Sequence, residues 1–115
     1  MMRDSYMQPH QHPGSEKIEE IHIVEGRVKI LFFDNDGKVT ISAHLAADQT
    51  RVVRVPAFAW HTYVVLTDFA VTYETMDGRY DPATWKRLAQ WAPSEVDSDK
   101  DEYLSKLREV FLPVD

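Results

Sequence analysis

The sequence predicts a small all-β barrel followed by a C-terminal helical segment. Apolar and polar residues alternate through much of the first three quarters of the chain, which is the period of a β-strand. Turn-forming residues separate the alternating runs at short intervals, a pattern typical of barrels and sandwiches rather than of alternating strands and helices. A length of 115 residues suits one domain. We therefore expect a barrel over residues 1–96 and a helix over residues 97–115 that packs on it.

Six strands are expected, over residues 18–25, 27–33, 39–45, 51–55, 61–66 and 69–75. The second and third are joined by Asp34-Asn35-Asp36-Gly37, whose residues tolerate the left-handed backbone of a tight hairpin. The returning strand should present one apolar face, formed by Val39, Ile41, Ala43 and Leu45. In the first strand, alternation places Glu19 on the inner face and Glu20 on the outer face.

The pattern changes beyond residue 76. Asp81-Pro82 is a candidate start for a short helix, because proline is tolerated in a first helical turn. Tyr80 and Trp91 are expected to hold this segment against the barrel. Residues 97–111 then have helical spacing, with an apolar stripe formed by Tyr103, Leu104, Leu107, Val110 and Phe111.

Composition limits the functions that need considering. The chain has no cysteine, which excludes disulfides, thiolate metal sites and cysteine nucleophiles and favours a reducing, cytoplasmic location. The formal net charge is −6 and the basic residues are scattered, so neither nucleic acid nor an anionic membrane surface is an expected partner. No apolar run has the length of a signal peptide or a membrane span.

Candidate metal ligands begin near the N-terminus. His10 and His12 form a His-x-His pair, and in an extended segment residues two apart point the same way. Glu19 follows a loop containing Pro13-Gly14 and can add a carboxylate, with Glu20 as its competitor. Strand alternation favours Glu19, because its face continues as apolar positions. The alternative is a pair of solvated histidines in a mobile tail.

Two partial motifs together resemble the cupin superfamily. The first is His-x-His, a gap, then Glu19, six residues and Gly26; the second begins at Pro56 and ends at His61. Phe58 stands where the second motif of that superfamily has glycine. The resemblance implies a jelly-roll (RmlC-like) β-barrel. It also implies that His10, His12, Glu19 and His61 hold one divalent transition metal ion.

A narrower resemblance covers most of the chain. The WbuC family of cupin-fold metalloproteins is similar in several short segments, namely Pro9-His10-Gln11-His12, Glu25-Gly26-Arg27-Val28, Phe33-Asp34-Asn35-Asp36-Gly37, Trp60-His61-Thr62, Gly78-Arg79-Tyr80-Asp81-Pro82 and Trp91-Ala92-Pro93-Ser94-Glu95. This resemblance implies an association with polysaccharide biosynthesis and a small ligand such as a sugar or sugar nucleotide. It does not fix the metal, since imidazole and carboxylate suit iron, manganese, nickel, zinc and copper.

Three functions follow as hypotheses. The first is a metal-dependent enzyme, isomerase-like or epimerase-like, that uses the ion as a Lewis acid. The second is a non-catalytic metal-containing binding or sensor module, and the third is a metal-free barrel with incidental histidines. Tyr63 is the candidate catalytic residue, and Lys17, Tyr63 and Glu74 are candidates for substrate binding. For each of these side chains the alternative to a functional role is a structural one, as a surface charge or as a tyrosine of the core.

The position of the first motif suggests an oligomer. His10 lies almost at the start of the sequence, so the strands that usually precede this motif are missing or very short. A truncated barrel exposes an unpaired strand edge, which invites pairing with another chain. We therefore expect a homodimer.

Overall fold

The computed structural model describes residues 1–78 and 85–110. Within these residues the chain forms eight strands and one helix. The strands are β1 (His10–Gln11), β2 (Glu19–Glu25), β3 (Arg27–Phe33), β4 (Val39–Ala46), β5 (Val52–Val55), β6 (Trp60–Val65), β7 (Val71–Met76) and β8 (Arg87–Leu88), and the helix is α1 (Lys100–Glu109).

The strands form two antiparallel sheets. One has five strands in the order β4-β3-β6-β1-β8, and the other has three in the order β5-β2-β7. This arrangement confirms the all-β class with a C-terminal helix. Each of the six expected strands is present, with ends shifted by two residues at most. The two-residue strands β1 and β8 were not expected, because two residues are too few to show an alternating pattern.

The main core lies between the two sheets. Ile21 of β2 and Ile30 of β3 are almost fully buried there, and burying one such side chain contributes roughly 1.5–3 kcal/mol. The other buried members of this cluster are Ile23, Val28, Leu45, Val55, Tyr63, Val65 and Ala70. The inner faces of β2, β3 and β6 therefore supply most of the apolar surface that closes the space around the candidate site.

A second cluster covers the outer face of the five-stranded sheet. Leu104 and Leu107 of α1 pack there against Leu31, Phe33 and Val64. These two leucines belong to the apolar stripe expected from the sequence, although the helix begins at Lys100 rather than at residue 97 and ends at Glu109. None of the helices in the described ranges is long and apolar enough to cross a membrane.

A buried lysine fixes the end of this helix. The Lys29 ammonium donates hydrogen bonds to the carbonyl oxygens of Arg108, at 2.7 Å, and Val110, at 2.9 Å. The last carbonyl groups of a helix have no partner within the helix, and a cation there also opposes the negative end of its dipole. Lys29 therefore ties the C-terminal end of α1 to β3.

The face expected for β4 is only partly observed. Ala43 and Leu45 pack into the core between the sheets, but Val39 packs with the cluster under α1, and Ile41 is 38% exposed. A register shift in the β3–β4 pairing between Phe32 and Phe33 accounts for Val39, which lies beyond the shift. Such an irregularity adds a residue to one strand and moves the side chains beyond it to the other face. Ile41 pairs with Phe32 before the shift, so it keeps the face of Ala43 and Leu45 although it is partly exposed.

Gly26 allows the chain to pass from β2 in one sheet to β3 in the other. Its φ of +84° lies in the left-handed region, and a Cβ atom there would lie 2.5 Å from the carbonyl oxygen of Phe69. Residues 79–82 of the expected closing segment, with the proposed short helix at Asp81-Pro82 and the Tyr80 contact, lie outside the described residues, as does Phe111. Trp91 packs against Phe33, with ring centroids 5.0 Å apart.

Candidate metal centre

Three buried histidines converge at one end of the space between the sheets. His10 on β1 is directly opposite His61 on β6, and their ring centroids are 4.4 Å apart. His12 follows β1 on the same side as His10, and its ring centroid lies 5.6 Å from that of His61. One ring nitrogen of each histidine lies within 4.8 Å of the other two. This spacing allows the three imidazoles to hold one metal ion.

Backbone carbonyl groups orient all three rings. Nδ1 lies 3.0 Å from the Gln8 oxygen in His10, 2.9 Å from the Trp85 oxygen in His12 and 2.9 Å from the Ala59 oxygen in His61. A carbonyl oxygen can only accept, so Nδ1 is the protonated nitrogen in each ring. Each Nε2 therefore carries a lone pair, and this tautomer is the one that metal-binding histidines adopt when the second nitrogen donates to a backbone oxygen.

Two of these Nε2 atoms are unsatisfied. In the described part of the chain, Nε2 of His12 and Nε2 of His61 are buried and make no hydrogen bond. A buried polar atom without a partner costs free energy, on the order of 1–3 kcal/mol. Unpartnered acceptors that face a common point fit a bound cation, which needs lone pairs as ligands.

The Glu19 carboxylate reaches this point from β2 in the opposite sheet. Oε1 lies 3.3 Å from Nε2 of His61, and Oε2 lies 3.7 Å from Nε2 of His12. With Nδ1 protonated, the carboxylate faces lone pairs and not donors. Burial lowers the pKa of His10 to about 3 and also lowers the pKa of His12, so these two rings resist taking a second proton that would supply the missing positive charge. A metal ion can supply it instead.

Glu20, the competing carboxylate, is not part of this group. It lies on the outer face of β2, its side chain is 49% exposed, and its Oε1 lies 3.8 Å from Nε2 of His22. Glu19 is buried on the inner face, as alternation predicted. Because neighbouring residues of a strand point to opposite faces, only Glu19 of the two adjacent glutamates faces the histidines.

A cavity of about 270 Å³ opens beside the histidines. Tyr63 and Glu74, two of the candidate pocket residues, line it. The third candidate, Lys17, is buried, and its ammonium lies 5.0 Å from the centroid of the Trp85 ring. Trp85 lines the cavity, so Lys17 contacts a residue of the cavity wall. The remaining lining residues are Met7, His10, His12, Glu19, Thr75, Met76 and Lys86.

Tyr63 connects the cavity to the histidines. Its hydroxyl donates to Oε1 of Glu19 at 3.0 Å. Burial, followed by the nearby carboxylates of Glu19 and Glu74, raises the pKa of Tyr63, so the phenol remains protonated and serves as a donor. Burial, followed by the charge of Glu19, also raises the pKa of Glu74.

Sequence reasoning missed Trp85 and Lys86. Trp85 lines the cavity and its backbone oxygen accepts the hydrogen bond from His12, while Lys86 adds an ammonium to the cavity wall. Neither residue lies in a recognisable motif. Their position follows from the pairing of β8 with β1, which joins residues 76 to 78 positions apart and leaves no local signal.

Phe58 was noted in the sequence only as a departure from the second motif. In the structure it has a φ of +63°, a left-handed conformation that bulky residues rarely adopt. The position therefore keeps the backbone geometry that favours glycine although it holds phenylalanine. The Phe58 carbonyl oxygen accepts a hydrogen bond from Nε2 of Gln11 at 3.0 Å, which helps to hold β1 in place.

Comparison with known families gives a partial match. Residues 1–45 match a family model described as a domain of unknown function, DUF6016. The matched part contains His10, His12 and Glu19 and ends before His61, so it covers three of the four candidate ligands and less than half of the chain. No curated protein matches the sequence.

Proposed function

We propose that this protein is a cupin-fold metalloprotein of the WbuC type that binds one divalent transition metal ion. His10, His12 and His61 are the imidazole ligands, and Glu19 is the fourth. The observation that carries the proposal is the common orientation of the three rings. Each Nδ1 is engaged by a backbone oxygen, which leaves each Nε2 as a lone-pair donor.

The ligand set is compatible with iron, manganese, nickel, zinc or copper. A bound ion of this kind supplies a Lewis acid that can polarise a carbonyl group or lower the pKa of a water molecule. The protein's own residues orient and enclose the reactants. Tyr63 holds the Glu19 carboxylate, and Glu74, whose pKa burial raises, lies on the cavity wall as a group that can exchange a proton with a substrate.

We propose an isomerase-like or epimerase-like reaction on a small sugar-type molecule, in the cytoplasm and in the context of polysaccharide biosynthesis. The reaction class and the pathway rest on the family resemblance, and the absence of cysteine supports the location. The cavity lies beside the histidines, and the carboxyl group of Glu74 on its wall can exchange a proton with a bound substrate.

A non-catalytic binding or sensor module is the second candidate. Three imidazoles and one carboxylate can complete a tetrahedral shell, and such a closed shell is typical of structural zinc. In that case the ion has no open position for a substrate. The two candidates therefore differ in the coordination number of the bound ion.

Metal analysis of the purified protein tests the proposal. We expect about one equivalent of a transition metal in the wild-type protein and a large loss in His61→Ala, with the barrel still folded by circular dichroism. His44→Ala is the matched control, because His44 lies on β4, outside the group of three buried histidines. A metal-free wild-type protein that also fails to take up iron, manganese, nickel, zinc or copper would refute the proposal. X-ray absorption and turnover of candidate sugars then separate the open site from the closed one.

A further inference from the structure

The cavity beside the three histidines has room for a small ligand. Its volume of about 270 Å³ lies just below the range of roughly 300–1,000 Å³ typical of pockets for drug-sized ligands. At roughly 30 Å³ for each water molecule in the liquid, this is the space of about nine waters. A monosaccharide or a smaller organic molecule fits this space.

Lys86 gives one side of this cavity a positive charge. The residue is exposed on the cavity wall, and among residues 1–78 and 85–110 no carboxylate lies within 4 Å of its ammonium. Lys86 lines the same cavity as His10, His12 and Glu74. The ammonium is therefore available to a ligand that enters beside the histidines.

The charge balance of the occupied site favours an anion. The Glu19 carboxylate offsets only part of the charge of a divalent ion, and Lys86 adds a further positive charge. The site remains net positive whether or not Glu74 is ionised. This local excess stands out on a chain whose formal net charge is −6, and opposite charge is what attracts an anion into a partly desolvated cleft. This step rests on the metal ion of the proposed function.

The remaining walls indicate the rest of the ligand. Met7, Met76 and Trp85 present apolar surface, which suits a carbon skeleton. Glu74 presents a carboxyl group that can accept hydrogen bonds from the hydroxyl groups of a ligand. A ligand that matches all of these features has a negative charge at one end and hydroxyl groups along a short carbon chain or ring.

We propose that this cavity binds a small hydroxylated organic acid, with its carboxylate paired to the Lys86 ammonium. The class includes hydroxy acids and sugar acids of up to about the size of one monosaccharide. Lys86 is then a specificity-determining residue, because a hydrogen bond between an ammonium and a carboxylate is about twice as strong as one between neutral groups.

The test compares acids with a neutral sugar on the metal-loaded protein. Glycolate, D-gluconate and D-glucuronate are titrated by calorimetry against the wild-type protein, with D-glucose as the uncharged counterpart of D-glucuronate. We expect at least one acid to bind and to bind at least tenfold more tightly than D-glucose. In Lys86→Met we expect that acid to bind about tenfold more weakly, whereas Lys86→Arg should restore most of the affinity.

Lys38→Met is the matched control, since Lys38 is an exposed lysine in the β3–β4 hairpin, and it should bind the acid as the wild type does. Metal content is measured for every variant. Failure of all three acids to bind to metal-loaded protein, equal affinity for D-glucose, or unchanged affinity in Lys86→Met would each overturn the inference while leaving the metal proposal intact. A wild-type protein that contains no metal and takes up none of the five candidate metals would instead overturn both.

Discussion

The hydroxyl of Tyr63 donates a hydrogen bond of 3.0 Å to Oε1 of Glu19. The same oxygen lies 3.3 Å from Nε2 of His61, so one carboxylate atom joins a residue of the cavity to a residue of the histidine group. The phenol occupies one lone pair of Glu19 and fixes the direction of the other. Tyr63 therefore acts through Glu19 and is a positioning residue for the proposed ion.

Removing this hydroxyl should weaken metal binding without abolishing it. In Tyr63→Phe the ring still fills the core, but Glu19 loses the donor that orients it. We expect the affinity for metal to fall about 10–100-fold, as is typical when a group supporting a ligand is lost, while the protein remains folded. Competition with a chelator of known affinity measures this change.

Tyr73→Phe is the control for this substitution, because Tyr73 is 54% exposed on β7. It should bind metal like the wild type. An unchanged metal affinity in Tyr63→Phe would show that the phenol has no part in positioning the carboxylate.

The two adjacent glutamates on β2 give a sharper comparison. Glu19→Gln keeps the size of the buried side chain but removes its negative charge, so the proposed ion loses its anionic ligand. We expect a loss of metal affinity of at least tenfold, measured by metal content after dialysis against a weak chelator. Glu20→Gln changes the same functional group one residue further along, on the outer face, and should have no effect. Equal effects of the two substitutions would contradict the assignment of Glu19.

Acid should weaken the β3–β4 hairpin through Asp34. Its Oδ1 accepts backbone hydrogen bonds from Asp36 and Lys38, both 2.9 Å long, and the hydrogen bond from Lys38 is the main cause that holds the pKa of Asp34 below its usual value. A carboxyl group whose pKa is lower in the folded state stabilises the fold above its unfolded pKa of about 3.9, and this contribution is lost as the pH falls through the folded value.

Denaturant unfolding of wild type and Asp34→Asn at pH 7 and pH 3 tests this expectation. At pH 7 the wild type should have a larger free energy of unfolding than Asp34→Asn, and this difference between the two proteins should narrow at pH 3. Asp36→Asn is the control, because the Asp36 side chain is exposed and Asp34 binds its backbone rather than its carboxylate. A difference that stays constant with pH would exclude a role for the charge of Asp34.

We also predict a homodimer. β7 lies at one edge of the three-stranded sheet, and two of its apolar residues are exposed, Val71 at 43% and Tyr73 at 54%. An exposed strand edge with apolar side chains is a surface that proteins usually cover. Sedimentation at micromolar concentration should give twice the mass of the 13.4 kDa chain, and Tyr73→Lys should shift it toward the monomer. A wild-type protein that sediments as a monomer would contradict this prediction.

The sequence was most informative where the signal is local. Alternation located six strands and correctly turned Glu19 inward and Glu20 outward, because side-chain direction in a strand depends only on the parity of the position. It did not reveal that Val39 packs under α1, since the register shift at Phe32/Phe33 depends on pairing between two strands. The helix was expected three residues too early, and helix ends are weakly encoded.

The residues of the candidate site also fall into those that a local motif reveals and those that only the fold reveals. The spacing of His10, His12 and His61 was visible in the sequence because two short motifs contain them. The carbonyl oxygen of Trp85 was not, because any residue has a carbonyl group and only the fold selects this one. The same holds for Lys86, which looks like any surface lysine until β8 is placed beside β1.

The shortness of β1 has a consequence for how the protein responds to metal. Two of the three imidazoles belong to a segment whose strand is only two residues long, between β6 and β8. So short a strand, with β8 paired beyond it, can detach while β4, β3 and β6 stay paired, at a cost well below that of global unfolding. A bound ion would bridge this segment to His61 and slow amide hydrogen exchange around residues 8–12, so the N-terminal segment would report whether the site is filled.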